Sequence, residues 1–141
     1  MSSRFRVVLV DDDEDLRFMW SELLRRSVGF EVVGHAADGL EALALCRDRR
    51  PDAVVTDCNM AELDGVRLAR RLRSDHPEMI VVLCSSRPGT DLPPDLDDLG
   101  VTYLNKTHST QLPALLAHLL RGRGRATPEG VGSGCIRRPS T

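Results

Sequence analysis

The sequence predicts an α/β fold, a doubly wound five-stranded parallel sheet whose fourth helix is short or irregular. Three observations carry that expectation. Short apolar runs rich in valine recur along the chain, too brief for helices and suited to strands buried on both faces. Between them lie segments whose apolar residues return every three or four positions, the period of a helix with one face turned inward. Glycine and proline mark the junctions. Strands alternating with helices in this way imply right-handed crossovers, and 141 residues with 41% hydrophobic content support one core.

Val7-Val8-Leu9-Val10 is the first strand, and Asp11-Asp12-Asp13-Glu14 follows at once. From Glu14 to Ser27, the residues Leu16, Met19, Trp20, Leu23 and Leu24 form the apolar stripe of a helix, with Arg17, Arg25 and Arg26 on its other face. Acids at its start and arginines at its end suit the helix dipole, so Asp13, Glu14 and Asp15 read as helix-start residues rather than ligands. Gly29 stops this helix. Phe30 to Gly34 supplies a second strand, and Ala36-Ala37-Asp38-Gly39 turns the chain. A second helix runs from about Leu40 to Arg49, with Leu40, Leu43 and Ala44 inward. Pro51 ends it, because a proline holds the preceding residue in extended geometry. Ala53 to Thr56 is the third strand, and Asp57 emerges at its carboxyl end, where open α/β sheets place their sites.

Asp64-Gly65 is a turn that opens a third helix, with Val66, Ala69 and Leu72 inward and Arg67, Arg70, Arg71 and Arg73 toward water. Pro77 closes it. Met79 to Cys84 is the fourth strand, followed by Ser85-Ser86. Pro88, Gly89, Pro93 and Pro94 leave room between Arg87 and Leu99 for one short turn at most, beginning near Pro94. Val101 to Leu104 is the fifth strand, with Asn105-Lys106 at its end. Ser109 or Thr110 is expected to cap a last helix carrying Leu112, Leu115, Leu116, Leu119 and Leu120, with Pro113 tolerated in its first turn. The domain therefore spans 4–120. In 121–141, five arginines against one glutamate give a formal charge of +4 among glycines and small polar residues, a disordered tail.

No run approaches the roughly 18 apolar residues of a membrane span, and the amino terminus lacks the pattern of a signal sequence, so a soluble cytoplasmic protein is expected. Cys46, Cys58, Cys84 and Cys135 lack CxxC spacing, which indicates neither a disulfide framework nor a zinc site. His35, His76, His108 and His118 are scattered and carry no assigned role.

If the sheet forms, Asp11, Asp12, Asp57, Ser85 and Lys106 come together from the carboxyl ends of strands one, three, four and five. Three converging carboxylates repel one another and are costly to ionise, which calls for a bound divalent cation. Hard oxygen ligands, only a few of them from protein, favour Mg2+ with waters over zinc, and Mn2+ is an acceptable substitute. An aspartate beside such an ion can attack a phosphoryl group. A hydroxyl at Ser85 and the ammonium of Lys106 would then hold the oxygens of the group in transit.

These residues resemble the receiver domain of bacterial two-component response regulators, over roughly Arg6 to Leu120. VVLVDDDEDLR is similar to that family's first strand and acidic pair, PDAVVTDCNMAELDG to its phosphoacceptor strand and loop, VVLCSS to its hydroxyl strand, and YLNK to its switch aromatic and lysine. The resemblance implies a flavodoxin-like (βα)5 arrangement with Asp57 as the phosphoacceptor. It implies metal binding by Asp12, Asp57 and the backbone carbonyl of Asn59, with Asp11 acting through water, and Ser85 with Tyr103 as the switch pair. It further implies a histidine kinase or phosphotransfer protein as donor, and a domain that hydrolyses its own acyl phosphate. Ala61 stands where a proline is usual and Ser86 where alanine or glycine is. Thr107 follows Lys106 where many members have a cis-linked proline, so a trans peptide is expected there.

Nothing after Leu120 is long enough for a DNA-binding helix-turn-helix, so the switch is expected to stand alone and to signal through an unidentified downstream protein. The last helix is core first and the face of a phosphorylation-dependent homodimer second. Two other readings compete. One is a phosphate-independent receiver-like binding module; the other is a magnesium-dependent aspartyl phosphatase, whose nucleophile would normally follow the first strand, where Asp11-Asp12-Asp13 stands.

Overall fold

Each anticipated strand forms. In order, the computed structural model has β1 (Phe5–Val10), α1 (Glu14–Arg25), β2 (Phe30–Ala36), α2 (Gly39–Arg49), β3 (Ala53–Asp57), α3 (Gly65–Asp75), β4 (Ile80–Ser85), α4 (Asp95–Asp98), β5 (Thr102–Asn105), a 3-10 turn (Lys106–Gln111) and α5 (Leu112–Arg125). It describes residues 4–58, 60, 63–86 and 92–125. All strand pairs are parallel and the sheet order is β2-β1-β3-β4-β5. The chain therefore leaves β1 on one side and returns to β3 on the other. That reversal opens a crevice beyond the carboxyl ends of β1 and β3, where Asp11, Asp12 and Asp57 lie.

Helices cover both faces, which is why the central strands are continuous apolar runs rather than alternating ones. Val8, Val10, Val54, Val81 and Leu83 face α2, α3 and the one-turn α4, meeting Ala42, Cys46, Leu68, Leu72 and Leu96. Val7, Leu9, Val55, Val82 and Cys84 face α1 and α5, meeting Trp20, Leu24, Leu112, Leu116 and Leu120. Each fully buried leucine here contributes about 1.5–3 kcal/mol relative to an exposed one.

Aspartates start three helices. Asp13 accepts from the backbone N–H groups of Asp15 and Leu16, Asp38 from that of Glu41, and Asp64 from that of Arg67. Such caps satisfy orphan donors of the first turn, and the structure bears out Asp13 as a helix-start residue. The Pro94 turn is one helical turn, as its prolines require.

Several expectations are corrected. In α2 the buried residues are Gly39, Ala42 and Cys46, while Leu40 is 56% exposed and Ala44 is exposed. GLEALALCRDR is small or apolar on nearly every side, so its periodicity selects no face. In α3, Leu68 is buried and Val66 only half-buried. Arg73 does not face water. It is half-buried and donates to the carbonyls of Leu99 (2.7 Å), Pro77 (2.7 Å) and Met79 (2.6 Å), and burial lowers its pKa. Those bonds tie the α4–β5 and α3–β4 connections together. Neither Ser109 nor Thr110 caps the last helix in the expected way, because the 3-10 turn intervenes and the Ser109 hydroxyl donates to the Lys106 carbonyl at 2.8 Å. α5 also runs to Arg125, into the stretch read as tail. The remaining tail, 126–141, lies outside the described residues, as do Asn59, Ala61 and Arg87.

Candidate functional site

Strand ends build the site. β1 delivers Asp11, β3 ends in Asp57, β4 ends in Ser85, and Lys106 follows β5. Asp57 pairs in register with Cys84, and Ser85 with Asn105, so the three strands stop at nearly one level. Asp11, Asp57 and Ser85 are buried, Lys106 is half-buried and Asp12 is exposed. The fold thus gathers all five residues on one rim.

Lys106 Nζ lies 2.7 Å from Asp57 Oδ1 and 3.3 Å from Asp11 Oδ2. Asp11 is the most constrained member. Its backbone N–H donates to the Ala36 carbonyl (3.0 Å), its Oδ1 accepts from the Asp13 N–H (2.8 Å), and its carbonyl accepts from Arg17 Nη1 (3.0 Å). Among the described residues its buried Oδ2 lacks a well-formed hydrogen bond, and the Lys106 ammonium at 3.3 Å pairs with it chiefly by charge. Burial raises the Asp11 pKa and the charge of Asp57 adds to this, against the Asp13 N–H and Lys106, which lower it. For Lys106, burial alone would depress the ammonium's pKa, but the bond to Asp57 and the charges of Asp11 and Asp57 outweigh it and the pKa rises.

Carboxylate oxygens of Asp11, Asp12 and Asp57 lie within 4.8 Å of one another. Among the described residues one ammonium faces three carboxylates, and the buried Asp11 Oδ2 lacks a well-formed hydrogen bond, so the cluster favours added positive charge. This hard, all-oxygen set fits a divalent cation of the magnesium class rather than a soft metal. Ser85 stands beside the cluster, and the half-buried Tyr103 donates its hydroxyl to the Ser85 carbonyl at 3.4 Å.

Asp11 also sets a pH dependence. Its folded-state pKa lies above the unfolded value of about 3.9, so the folded chain holds that proton more tightly. Its contribution to stability is therefore greatest below the unfolded pKa and is lost as pH rises through the folded one. Asp11→Asn keeps an acceptor for the Asp13 N–H while removing this penalty. In chelator at pH 7 it is expected to raise unfolding stability by about 0.5–2 kcal/mol, measured by urea denaturation. The gain should shrink as pH falls through the raised folded-state pKa and be gone below about 4.

Sequence reasoning missed several contacts around these residues. Arg17, placed on the outer face of its helix, is half-buried and bonds the Asp11 carbonyl. Asn105 Oδ1 accepts from the Thr107 N–H (2.9 Å) and hydroxyl (2.7 Å), shaping the turn after Lys106. No peptide among the described residues is cis, as expected from Thr107. One signal was available in the composition: Lys106 is the only lysine in the chain.

A sequence model described as the response regulator receiver domain matches residues 7–116. The chain belongs to that family. Phosphorylation-dependent two-component signalling is the general function of such receiver domains. The response regulator MprA of Mycobacterium sp. (strain KMS) is 37% identical over 127 residues, covering 88% of this chain and 53% of MprA. The transcriptional regulatory protein PrrA of Mycobacterium tuberculosis is 41% identical over 125 residues, covering 84% and 51%. The chain thus spans about half the length of the curated relatives it matches. A solved two-component response regulator of the LuxR family from Aurantimonas sp. SI85-9A1 superposes with a TM-score of 0.78 at 28% identity, covering 86% of this receiver and 88% of that chain. Among the described residues, no helix of the receiver is long and apolar enough to cross a membrane.

Proposed function

We propose that this receiver accepts a phosphoryl group on Asp57 from a histidine kinase or phosphotransfer protein and signals through protein–protein contacts. The observation that carries the reading is the buried Asp57 carboxylate, held 2.7 Å from the Lys106 ammonium beside two further carboxylates. A carboxylate oxygen of Asp57 attacks the phosphorus of a phosphohistidine, or of acetyl phosphate in vitro. The new O–P bond forms as the donor's P–N or P–O bond breaks, and the bonding pair leaves with imidazole or acetate. Lys106 passes from the carboxylate to a phosphoryl oxygen, and the Ser85 hydroxyl donates to another. Asp12, Asp57 and the Asn59 carbonyl would hold Mg2+, with Asp11 acting through a water, and Mn2+ could replace it. The bound cation supplies neutralisation of charge on the transferred group.

Ser85 moving toward the phosphate, with Tyr103 turning inward behind it, carries the signal to a downstream protein or to a second copy of the chain. Intact-mass measurement tests the chemistry. With Mg2+ and acetyl phosphate, the parent chain is expected to gain one acid-labile phosphoryl group, and chelator should abolish the gain. Asp57→Asn labelled as fully as the parent would sink the proposal.

A further inference from the structure

We propose that Ser109, held by the Trp20 indole, is a positioning residue for Lys106, fixing the backbone from which the ammonium reaches Asp57 and Asp11. Its consequence for catalysis rests on the phosphoryl-transfer reading, whereas the positioning is testable without it.

Lys106 has a flexible four-carbon stem and begins a 3-10 turn that is itself irregular, with His108 at φ −108° and ψ 27°. Such a turn does not by its own hydrogen bonds hold an ammonium on one carboxylate oxygen. Side chains supply the constraint. On the solvent side, Asn105 clamps Thr107. On the core side, the buried Ser109 hydroxyl commits its single proton to the Lys106 carbonyl (2.8 Å) and accepts from Trp20 Nε1 at 3.4 Å. Trp20 is fully buried between the sheet, α1 and α5, so its indole is a fixed post.

The same helix holds the partner of the ion pair. Arg17 precedes Trp20 by three residues, hence on one face of α1, and bonds the Asp11 carbonyl at 3.0 Å. α1 therefore grips the end of β1 through Arg17 and the turn after β5 through Trp20 and Ser109. Between those two grips lies the 3.3 Å approach of Lys106 to Asp11. A buried indole N–H needs some acceptor in any case. What marks Ser109 is that its own proton goes to the carbonyl of Lys106.

Because Lys106 is the only lysine, an amine reagent reports on it without ambiguity. Trace acetylation with acetic anhydride, read by mass spectrometry against the amino-terminal amine, is compared across full-length variants of matched thermal stability. Ser109→Ala is expected to raise Lys106 reactivity about tenfold and to slow labelling of Asp57 by acetyl phosphate by about tenfold, at unchanged half-saturating Mg2+. Ser109→Thr should restore both. Trp20→Phe should shift both in the same direction by less, and decides the matter if Ser109→Ala does not fold. Ser27→Ala, which loses a hydroxyl bond to the Leu23 carbonyl just beyond the other end of α1, should change neither. Parent-like Lys106 reactivity in Ser109→Ala overturns the positioning; raised reactivity with unchanged labelling overturns its role in transfer. If the parent takes no phosphoryl group, the phosphoryl-transfer reading falls and Lys106 reactivity still decides the positioning.

Discussion

Gly65→Ala is expected to lower unfolding stability by at least about 3 kcal/mol, a displacement at the upper end of overpacking effects. A Cβ at this position would stand 1.8 Å from the Asp57 carbonyl oxygen and 2.8 Å from the Asp57 carbonyl carbon and Cys58 Cα. All three are backbone atoms, so no flexible side chain can yield. Gly65 also donates its N–H to the Cys58 carbonyl at 2.9 Å, which locks the start of α3 against the end of β3. The requirement is close approach of two backbones rather than an unusual φ, so serine should do no better than alanine. Relief can come only by moving α3 or by moving the carbonyl of Asp57, and either disturbs the acidic crevice. In thermal unfolding the variant should melt roughly 10 °C or more below the parent. Parent-like melting would mean that the approach of α3 to β3 is looser than these distances state.

Gly65 also shows what a sequence reading reaches. Asp64-Gly65 announces a turn and a helix start by composition alone, and α3 begins at Gly65 as expected. Nothing local says that the glycine must abut Asp57, because that contact exists only after α3 has packed back against the end of β3. The same division runs through the chain. Strands were legible because burial on both faces leaves uninterrupted apolar runs such as Val7-Val8-Leu9-Val10. The site was legible because β1, β3, β4 and β5 break abruptly into polar residues at their carboxyl ends, and topology then brings those breaks together. Arg73 and Arg17 were misplaced because long basic side chains satisfy a helical pattern equally well at the boundary and in water. Their destinations, carbonyls of distant loops and of Asp11, are tertiary facts. In α2, apolar residues on nearly all sides removed the contrast from which a face is read.

Lys106→Met should separate metal binding from phosphoryl transfer more sharply than any carboxylate variant. The ammonium has two roles that oppose each other. Before reaction it sits 2.7 Å from Asp57 Oδ1 and 3.3 Å from Asp11 Oδ2, so it competes with an incoming cation for the same negative charge. During reaction it stabilises charge on the phosphoryl oxygens. Methionine keeps the length of the stem and removes both roles. Loss of the competitor should tighten Mg2+ binding, followed through Trp20 fluorescence. Loss of a preorganised charge at the transferred group should slow acetyl phosphate labelling of Asp57 by about 10²- to 10³-fold, the cost of removing one such donor. Arginine should not rescue the rate, because a planar fork on a longer stem cannot occupy the position of a compact point charge. Tighter metal binding with slower labelling identifies Lys106 as acting on the phosphoryl group. If Mg2+ affinity and labelling rate instead fell together, the lysine would serve only to organise the carboxylates, and its assignment to the transferred group would be wrong.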